Sequence, residues 1–356
     1  MINSDSEPLG KVKQLTPVHG GYSADFHPLL HYIPPTRENH FFYRNGLSKL
    51  IPRLAVKVHS RIDECYDLWE RFSPKQSMFD LWDFRYSWYE GYQFTPYFYT
   101  LYERGIPLAV LPLWWSDCRK KYLWFGSDWM EDNNFFVANE KLIDVLFQIA
   151  PNSLLLNAIE MRDQWVKKKF FPLLKPDDPK NLKNLEGIIT MDQLLQTFDK
   201  KSRYHLRSDY LKIQSMNPRV IITKGKDLNK LNRMITLNIE RFSKDPDDES
   251  DLVDPQRRKT YERMVRNADS YDVRFIEVFI QNHLAAIDFI ATYQSVYYTM
   301  KGGNDIDRFS GIGNYMVYIE FEDALRGAFR TVDCLQMDNG WKHRFFDQKR
   351  VYTLEK

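Results

Sequence analysis

Residues 274–346 read RFIEVFIQNHLAAIDFIATYQSVYYTMKGGNDIDRFSGIGNYMVYIEFEDALRGAFRTVDCLQMDNGWKHRFF, and the fold is decided there. Arg274–Ile280 is dense in β-branched and aromatic residues and predicts a strand. Gln281-Asn282-His283 has the size of a turn, and Leu284–Thr292 predicts a second apolar strand. A third short strand, Val296–Met300, is expected to stop at Gly302-Gly303. After Ser310-Gly311-Ile312-Gly313-Asn314 the pattern turns helical. Met316, Val317, Phe321, Ala324 and Leu325 fall at helical spacing, beside a face made by Tyr315, Ile319, Glu322 and Arg326. Gly327 fits a helix stop, Thr331–Leu335 reads as another strand, and residues 341–345 close the unit.

A strand meander followed by a glycine-bearing turn and a helix is one way to hold a phosphate. The first turn of a helix presents free N–H groups and a partial positive charge. Glycines at 311 and 313 let a diphosphate approach the backbone with no Cβ in the way, so Ser310, Gly311, Gly313 and Asn314 are the candidate diphosphate-binding residues. A plain loop with an N-cap at Asn314 fits the same letters.

The order of these parts, with Asp333…Gly340-Trp341-Lys342-His343-Arg344-Phe345, resembles the C-terminal domain of GNAT-like acyltransferases of the CelD type. That family stands beside the Fem-type aminoacyl transferases, and both carry GNAT folds in tandem. Asp333 lies nine residues before Lys342, as the family pattern places them, with Trp341 at its Tyr position and Phe345 at its Phe position. Cys334-Leu335 replaces the usual Leu-Gly, and Phe346 stands where Gly is usual. Lys200–Arg207 looks like the basic helix that opens the family's second domain. The resemblance covers residues 190–346 well and the first half in outline. It implies an α/β fold with a mixed sheet in two tandem GNAT-like domains. It also implies transfer of an acyl group from acyl-CoA, as co-substrate, to an amine acceptor that is a small molecule or a cell-envelope precursor. A Fem-type enzyme using charged tRNA, or a GNAT pair acting only as a binding module, are the alternatives.

Composition sets outer bounds. At 356 residues, 43% of them hydrophobic, two domains are the default. A net charge of +2 gives no broad electrostatic case for DNA or a membrane surface. Cys65, Cys118 and Cys334 are odd in number and scattered, which argues against a disulfide framework or a cysteine metal site, so no metal is expected. The start lacks a secretory pattern and Ile106–Trp115 is too short to span a bilayer, so a cytoplasmic location without a transmembrane segment is expected. Aromatic residues reach 15% and crowd between Phe79 and Trp129, where they read mostly as core and partly as a groove lining.

Along the chain, residues 1–52 are broken by prolines and predict an irregular extension. Residues 53–171 predict an N-terminal GNAT-like domain. It contains a strand at Leu54–Val58, helices at Ile62–Phe72 and Phe79–Tyr92, a hairpin from Thr95 to Trp115, strands at Lys121–Phe125 and Ser153–Ile159 around a helix at Leu142–Ile149, and a basic helical tail at Arg162–Phe171. Helices followed by strand, turn and apolar strand recur in the second half, which supports two copies of one unit. Residues 172–189 read as the linker and 190–356 as the C-terminal acyltransferase domain, with an acidic lid-like loop at Ser243–Asp254 and Pro255 opening a helix.

Acyl transfer to an amine needs a neutral nucleophile, a polarised carbonyl and a route for protons. GNAT folds polarise the carbonyl largely with backbone N–H groups of a splayed strand, which leave no mark in sequence. Asp288 interrupts an otherwise apolar strand; burial there demands either a partner, such as Arg274, or a raised pKa that suits a general base. Glu240 is a second candidate for contacting the amine. Tyr298 (or its neighbour Tyr297) is a candidate proton donor to the leaving group, and one of the two should face the core. By the resemblance, Lys342 is the tail lysine near the transferred group. Lys201, Arg203, His205 and Arg207 read either as an anion-facing helix or as a solvated face. No Ser/His/Asp set, ATP-cradling motif or HExxH helix is present.

Overall fold

The computed structural model describes residues 27–28, 53–127, 129–160, 174–243 and 249–356. The rest of the proline-rich extension, the basic tail at 162–171 and residues 244–248 of the acidic loop lie outside the described residues. The first sheet runs in the order β1 (His27–Pro28), β2 (Leu54–His59), β3 (Pro96–Glu103), β4 (Ile106–Ser116) and β5 (Lys121–Trp124), with β6 (Phe136–Val137) added to β4, all antiparallel. Helix α1 (Ile62–Phe72) buries Cys65, Leu68 and Trp69 at the spacing of one helical face. The helix expected at Phe79–Tyr92 is split. The Asp80 carboxylate accepts the Gln76 and Ser77 N–H groups and holds Met78–Asp80 as a 3-10 turn, so helix α2 begins at Trp82 and spans Trp82–Tyr92. Helix α3 (Leu142–Ile149) closes the outer face of this half.

The second half holds helices α4 (Met191–Gln196), α5 (Lys200–Gln214), α6 (Leu228–Phe242), α7 (Pro255–Arg266) and α8 (Ile312–Arg326). Asp199, Asp227 and Asp254 cap α5, α6 and α7 by accepting first-turn N–H groups, and Pro255 takes the first position of α7. The sheet runs β10 (Arg219–Lys224), β11 (Asp272–Ile280), β12 (His283–Tyr293), β13 (Val296–Asn304), β14 (Thr331–Asp333), β9 (Lys180–Asn184) and β15 (Asp347–Lys349). The pair β13–β14 is parallel and the others are antiparallel. The meander β2–β5 of the first half has its counterpart in β10–β13, which is the expected repetition. Among the described residues, no helix is long and apolar enough to cross a membrane.

Three expectations are corrected. Strand β13 does not stop at Gly302-Gly303; it stays paired with β12 to Asn304, and both glycines sit where something packs too closely for a Cβ. The segment 172–189 is not a free linker: Lys180–Asn184 is a strand of the second sheet between β14 and β15. Likewise 190–356 is not self-contained, since β16 (Tyr352–Glu355) pairs with β7 (Leu155–Ile159) and β8 (Leu174–Pro176) beneath the first half. The largest apolar core also ignores the boundary, running from Trp69, Trp82 and Phe84 to Met234, Met264, Phe289 and Tyr298. At about 25 cal/mol per Å² of apolar surface, so continuous a core binds the halves into one body.

Candidate active site

Strands β13 and β14 stay paired only from Val296–Thr331 to Tyr298–Asp333. Beyond that point β13 follows β12 to Asn304, while the chain leaving Asp333 is retained by β9. Cys334 N–H donates to Asn181 O at 2.9 Å and Asn181 N–H donates to Leu335 O at 3.0 Å. The two strands therefore splay. Opposite the splay, Phe289 pairs with Lys301 and Ile290 with Thr299, so Met300 is an extra residue whose backbone is released from the ladder. The gap opens into a cleft of about 1100 Å³. Thr299, Met300, Cys334 and Leu335 line its inner end, and the aromatic residues Phe79, Phe84, Trp88 and Trp129 line the side built by the first half.

The helix α8 enters this cleft by its N-terminus. Gly311 is its N-cap with φ of 95°, a left-handed backbone that favours glycine, so the cap lies at 311 and not at Asn314. Gly313 and Asn314 line the cleft, and the space a Cβ would take at Gly313 is open. On the other side of the turn, Asp209 of α5 lies against Gly311 and accepts from Asn314 Nδ2 at 2.6 Å. The helix entrance is thus free at Gly313 and already faced by a carboxylate at Gly311. Ser310 is exposed and outside the cleft lining.

Asp288 does lie in the cleft wall, 7% exposed, and Gly302 has no side chain because the Asp288 carboxylate fills that space. Arg274 is not its partner; the Arg274 Nη1 donates to Asp323 Oδ2 at 2.8 Å, where the Tyr297 hydroxyl also donates. The partner of Asp288 is Glu320 on α8, 6% exposed and in the same wall. Burial pushes Asp288 above the ordinary carboxylate range, against the pull of the Glu320 hydrogen bond and of Arg241. Burial, then the Asp288 charge, pushes Glu320 up further. Neither makes an ion pair with a described residue. Two hydrogen-bonded carboxyls so far from water cannot both ionise, and the pair shares a proton, with Glu320 donating to Asp288.

The other candidates are placed as follows. Lys342 is buried in the cleft wall, and its Nζ donates to Cys334 O at 2.5 Å and Gln336 O at 2.7 Å, which braces the departing strand at the splay. Tyr298 turns the other way. Its hydroxyl accepts from Met78 N–H at 3.2 Å and lines a separate cavity of about 180 Å³, so it does not reach the cleft. Glu240 is exposed on α6, while its neighbours Asn238, Arg241 and Phe242 line the cleft. The basic face of α5 is solvated, with Arg207 paired to Asp192 at 2.6 Å.

Sequence reading missed four groups. Glu320 is one; an acid inside an apolar helical pattern opposite a strand acid was the available signal. Lys180 of β9 is another. It is buried between Asp132 at 2.5 Å and Asp333 at 2.7 Å, with Glu131 at 3.8 Å, and these carboxylates raise its pKa against the opposing effect of burial. Glu131 is pushed above the ordinary range by burial, only partly offset by Lys180, and accepts from Gln336 N–H at 2.6 Å on the cleft wall. The fourth is Arg257 of α7, on the cleft wall against Trp88 and Trp129. Cys334 lines the cleft, but burial pushes its thiol up to about 12, which removes it as a thiolate nucleophile at neutral pH.

A splayed parallel pair, a bulge beside it and a helix N-terminus facing the gap accompany a sequence match: residues 200–343 match the family described as acetyltransferase (GNAT) domain. The fold of the whole chain is similar to that of three solved proteins. FemX gives a TM-score of 0.55 at 10% identity, covering 83% of this chain and 96% of that one. L-PGS from Bacillus licheniformis gives 0.51 at 9% identity, covering 83% and 92%. A tandem GNAT protein from the clavulanic acid biosynthesis pathway gives 0.50 at 10% identity, covering 85% and 98%. At such identities the likeness establishes the fold, a tandem GNAT pair, in agreement with the internal repetition. No curated protein matches the sequence.

Proposed function

We propose that the protein is a GNAT-type acyltransferase that moves an acyl group from acyl-CoA to an amine by direct attack. The observation that carries this reading is the splay after Tyr298 and Asp333, which opens onto the same cleft as the free side of the α8 N-terminus. The diphosphate of the carrier lies at the amides of Gly313 and Asn314, where the helix end favours negative charge. The thioester enters the splay, and the Met300 backbone, released by the bulge, faces the carbonyl oxygen as charge develops there. The amine nitrogen attacks the carbonyl carbon, the C–S bond breaks, and the amine's proton passes to the carboxyl pair at Asp288. The pair then holds two protons and returns one to the departing thiolate. The Lys342 ammonium, fixed by two carbonyls, keeps positive charge beside the splay. No covalent acyl-enzyme is required, in line with the high pKa of Cys334.

Asp209 favours the second reading, a GNAT-fold binding module without catalysis, because a carboxylate at the helix entrance opposes a diphosphate. Calorimetry of the whole protein with acetyl-CoA, longer acyl-CoAs and free CoA separates the two. Saturable binding that is lost in Gly313→Asp supports the transferase. Absence of heat and of any thermal shift with all of them refutes it.

A further inference from the structure

Arg257, on α7, is 3% exposed, yet it makes no hydrogen bond among the described residues. Its guanidinium lies against two indoles of the first half, with Cζ 4.6 Å from the Trp88 ring centre and 4.0 Å from that of Trp129. Among the described residues its ionic contact is Nε to Asp251 Oδ2 at 3.5 Å, and Asp251 is shared with Lys301, whose Nζ donates to Oδ1 at 2.6 Å. Among the described residues, two cations share this one carboxylate. Trp88 is 3% exposed, and its Nε1–H is buried with no partner. Arg257, Trp88, Trp129, Asp251 and Lys301 all line the cleft.

Indoles packed against the guanidinium leave its in-plane N–H groups as the free edge, and an edge of parallel N–H donors matches a planar carboxylate in bidentate fashion. The orphan indole N–H adds a third donor, and a buried donor left without a partner is costly, a cost that a ligand oxygen would recover. We infer that Arg257 and Trp88 form a carboxylate-binding subsite for the acceptor. This rests on the transferase reading above and narrows it: the amine acceptor carries a carboxylate, as an amino acid or a peptide end does. The aromatic wall of Phe79, Phe84 and Trp129 beside the subsite suits an apolar side chain on that acceptor.

The test uses the full chain and a product-like pair of equal shape, N-acetyl-L-phenylalanine and its neutral amide, by calorimetry. The acid is expected to bind at least about tenfold tighter, the equivalent of one charge-assisted hydrogen bond. Arg257→Gln abolishes that preference, Arg257→Lys keeps only part of it because the fork is lost, and Trp88→Phe, which retains the ring and removes the N–H, weakens the acid several-fold. Equal binding of acid and amide by the wild type overturns the inference, as does absence of saturable binding of the acid at about 10 mM. A preference that survives Arg257→Gln also overturns it, and so does phenyl phosphate binding tenfold tighter than the acid. Should Arg257→Gln fail to fold, the wild-type comparison and Arg257→Lys decide. Acetyl-CoA is titrated in parallel and should bind Arg257→Gln as it binds the wild type. If acetyl-CoA does not bind at all while acid and amide are still distinguished, the transferase reading falls and the anion subsite stands.

Discussion

Replacing Glu320 by Gln tests the carboxyl pair without any knowledge of the substrate. In the wild type, Asp288 and Glu320 are both raised by burial, and one proton is held between them. Two unit charges at about 4 Å repel by about 4 kcal/mol at an effective dielectric of about 20, so double ionisation in the fold is strongly disfavoured. A carboxyl raised in the folded state holds its proton more tightly than it does in the unfolded chain. Its stabilising contribution is therefore complete below the ordinary carboxylate range and is lost as pH climbs through the raised value. One bound proton gives a slope of about 1.4 kcal/mol per pH unit, or about 2 °C in Tm for a chain of this size. In Glu320→Gln the amide still donates to Asp288, which burial keeps raised, while the raised titration of Glu320 itself is gone. Thermal melts from pH 5 to pH 8 should show the wild type losing stability over most of that window. The variant should lose about 1 kcal/mol per unit less, so the two Tm curves converge or cross toward pH 8. Taking the variant minus the wild type cancels the other raised carboxyls, such as Glu131 and Asp333. Parallel curves across the window would refute the shared proton.

Three other outcomes are expected. Lys180→Met leaves Asp132 and Asp333 buried without their cation, a loss of about 3–5 kcal/mol that should lower Tm by about 5 °C; a change under 2 °C would show that the cluster does not hold the halves together. Asp209→Asn removes a negative charge from the α8 entrance and should tighten acetyl-CoA about fivefold by calorimetry, since a charge at a helix end is worth about 1 kcal/mol; weaker binding would place the diphosphate elsewhere. Gly302→Ala puts a methyl group where the Asp288 carboxylate sits, so melting should fall by several degrees and the pH dependence described above should change; an unchanged pH profile would mean that the pair is not fixed by this contact.

How much of this could be read from letters depended on range. Helix α6 and the β11–β12 hairpin were legible because periodicity and turn residues act over a few positions, and Pro255 marked a helix start by its own backbone limits, whereas the α8 cap was placed at Asn314 and lies at Gly311. Asp288 was legible as an anomaly, an acid in an apolar strand, but its partner was not. Arg274, on the preceding strand, was the expected cation, whereas the fold turned it to Asp323 and brought Glu320 across from α8. Gly302-Gly303 looked like a strand end and is a strand interior, because the reason for each glycine lies in another element: the Asp288 carboxylate for one, the α6 backbone for the other. Tyr298 faces Lys180, and Arg257 faces Trp88 and Trp129, through contacts between chain segments over a hundred residues apart, and no local pattern encodes such pairs.

Tyr352–Glu355 runs between β7 and β8, so the platform under the first half waits for residues synthesised after everything else described here. During translation, the early half emerges with two short strand edges exposed and cannot finish before its late guest arrives. A chain cut before Tyr352 should therefore lose more than a tail: it should aggregate through those edges, and the two halves, once severed, should not be recoverable as separate soluble pieces.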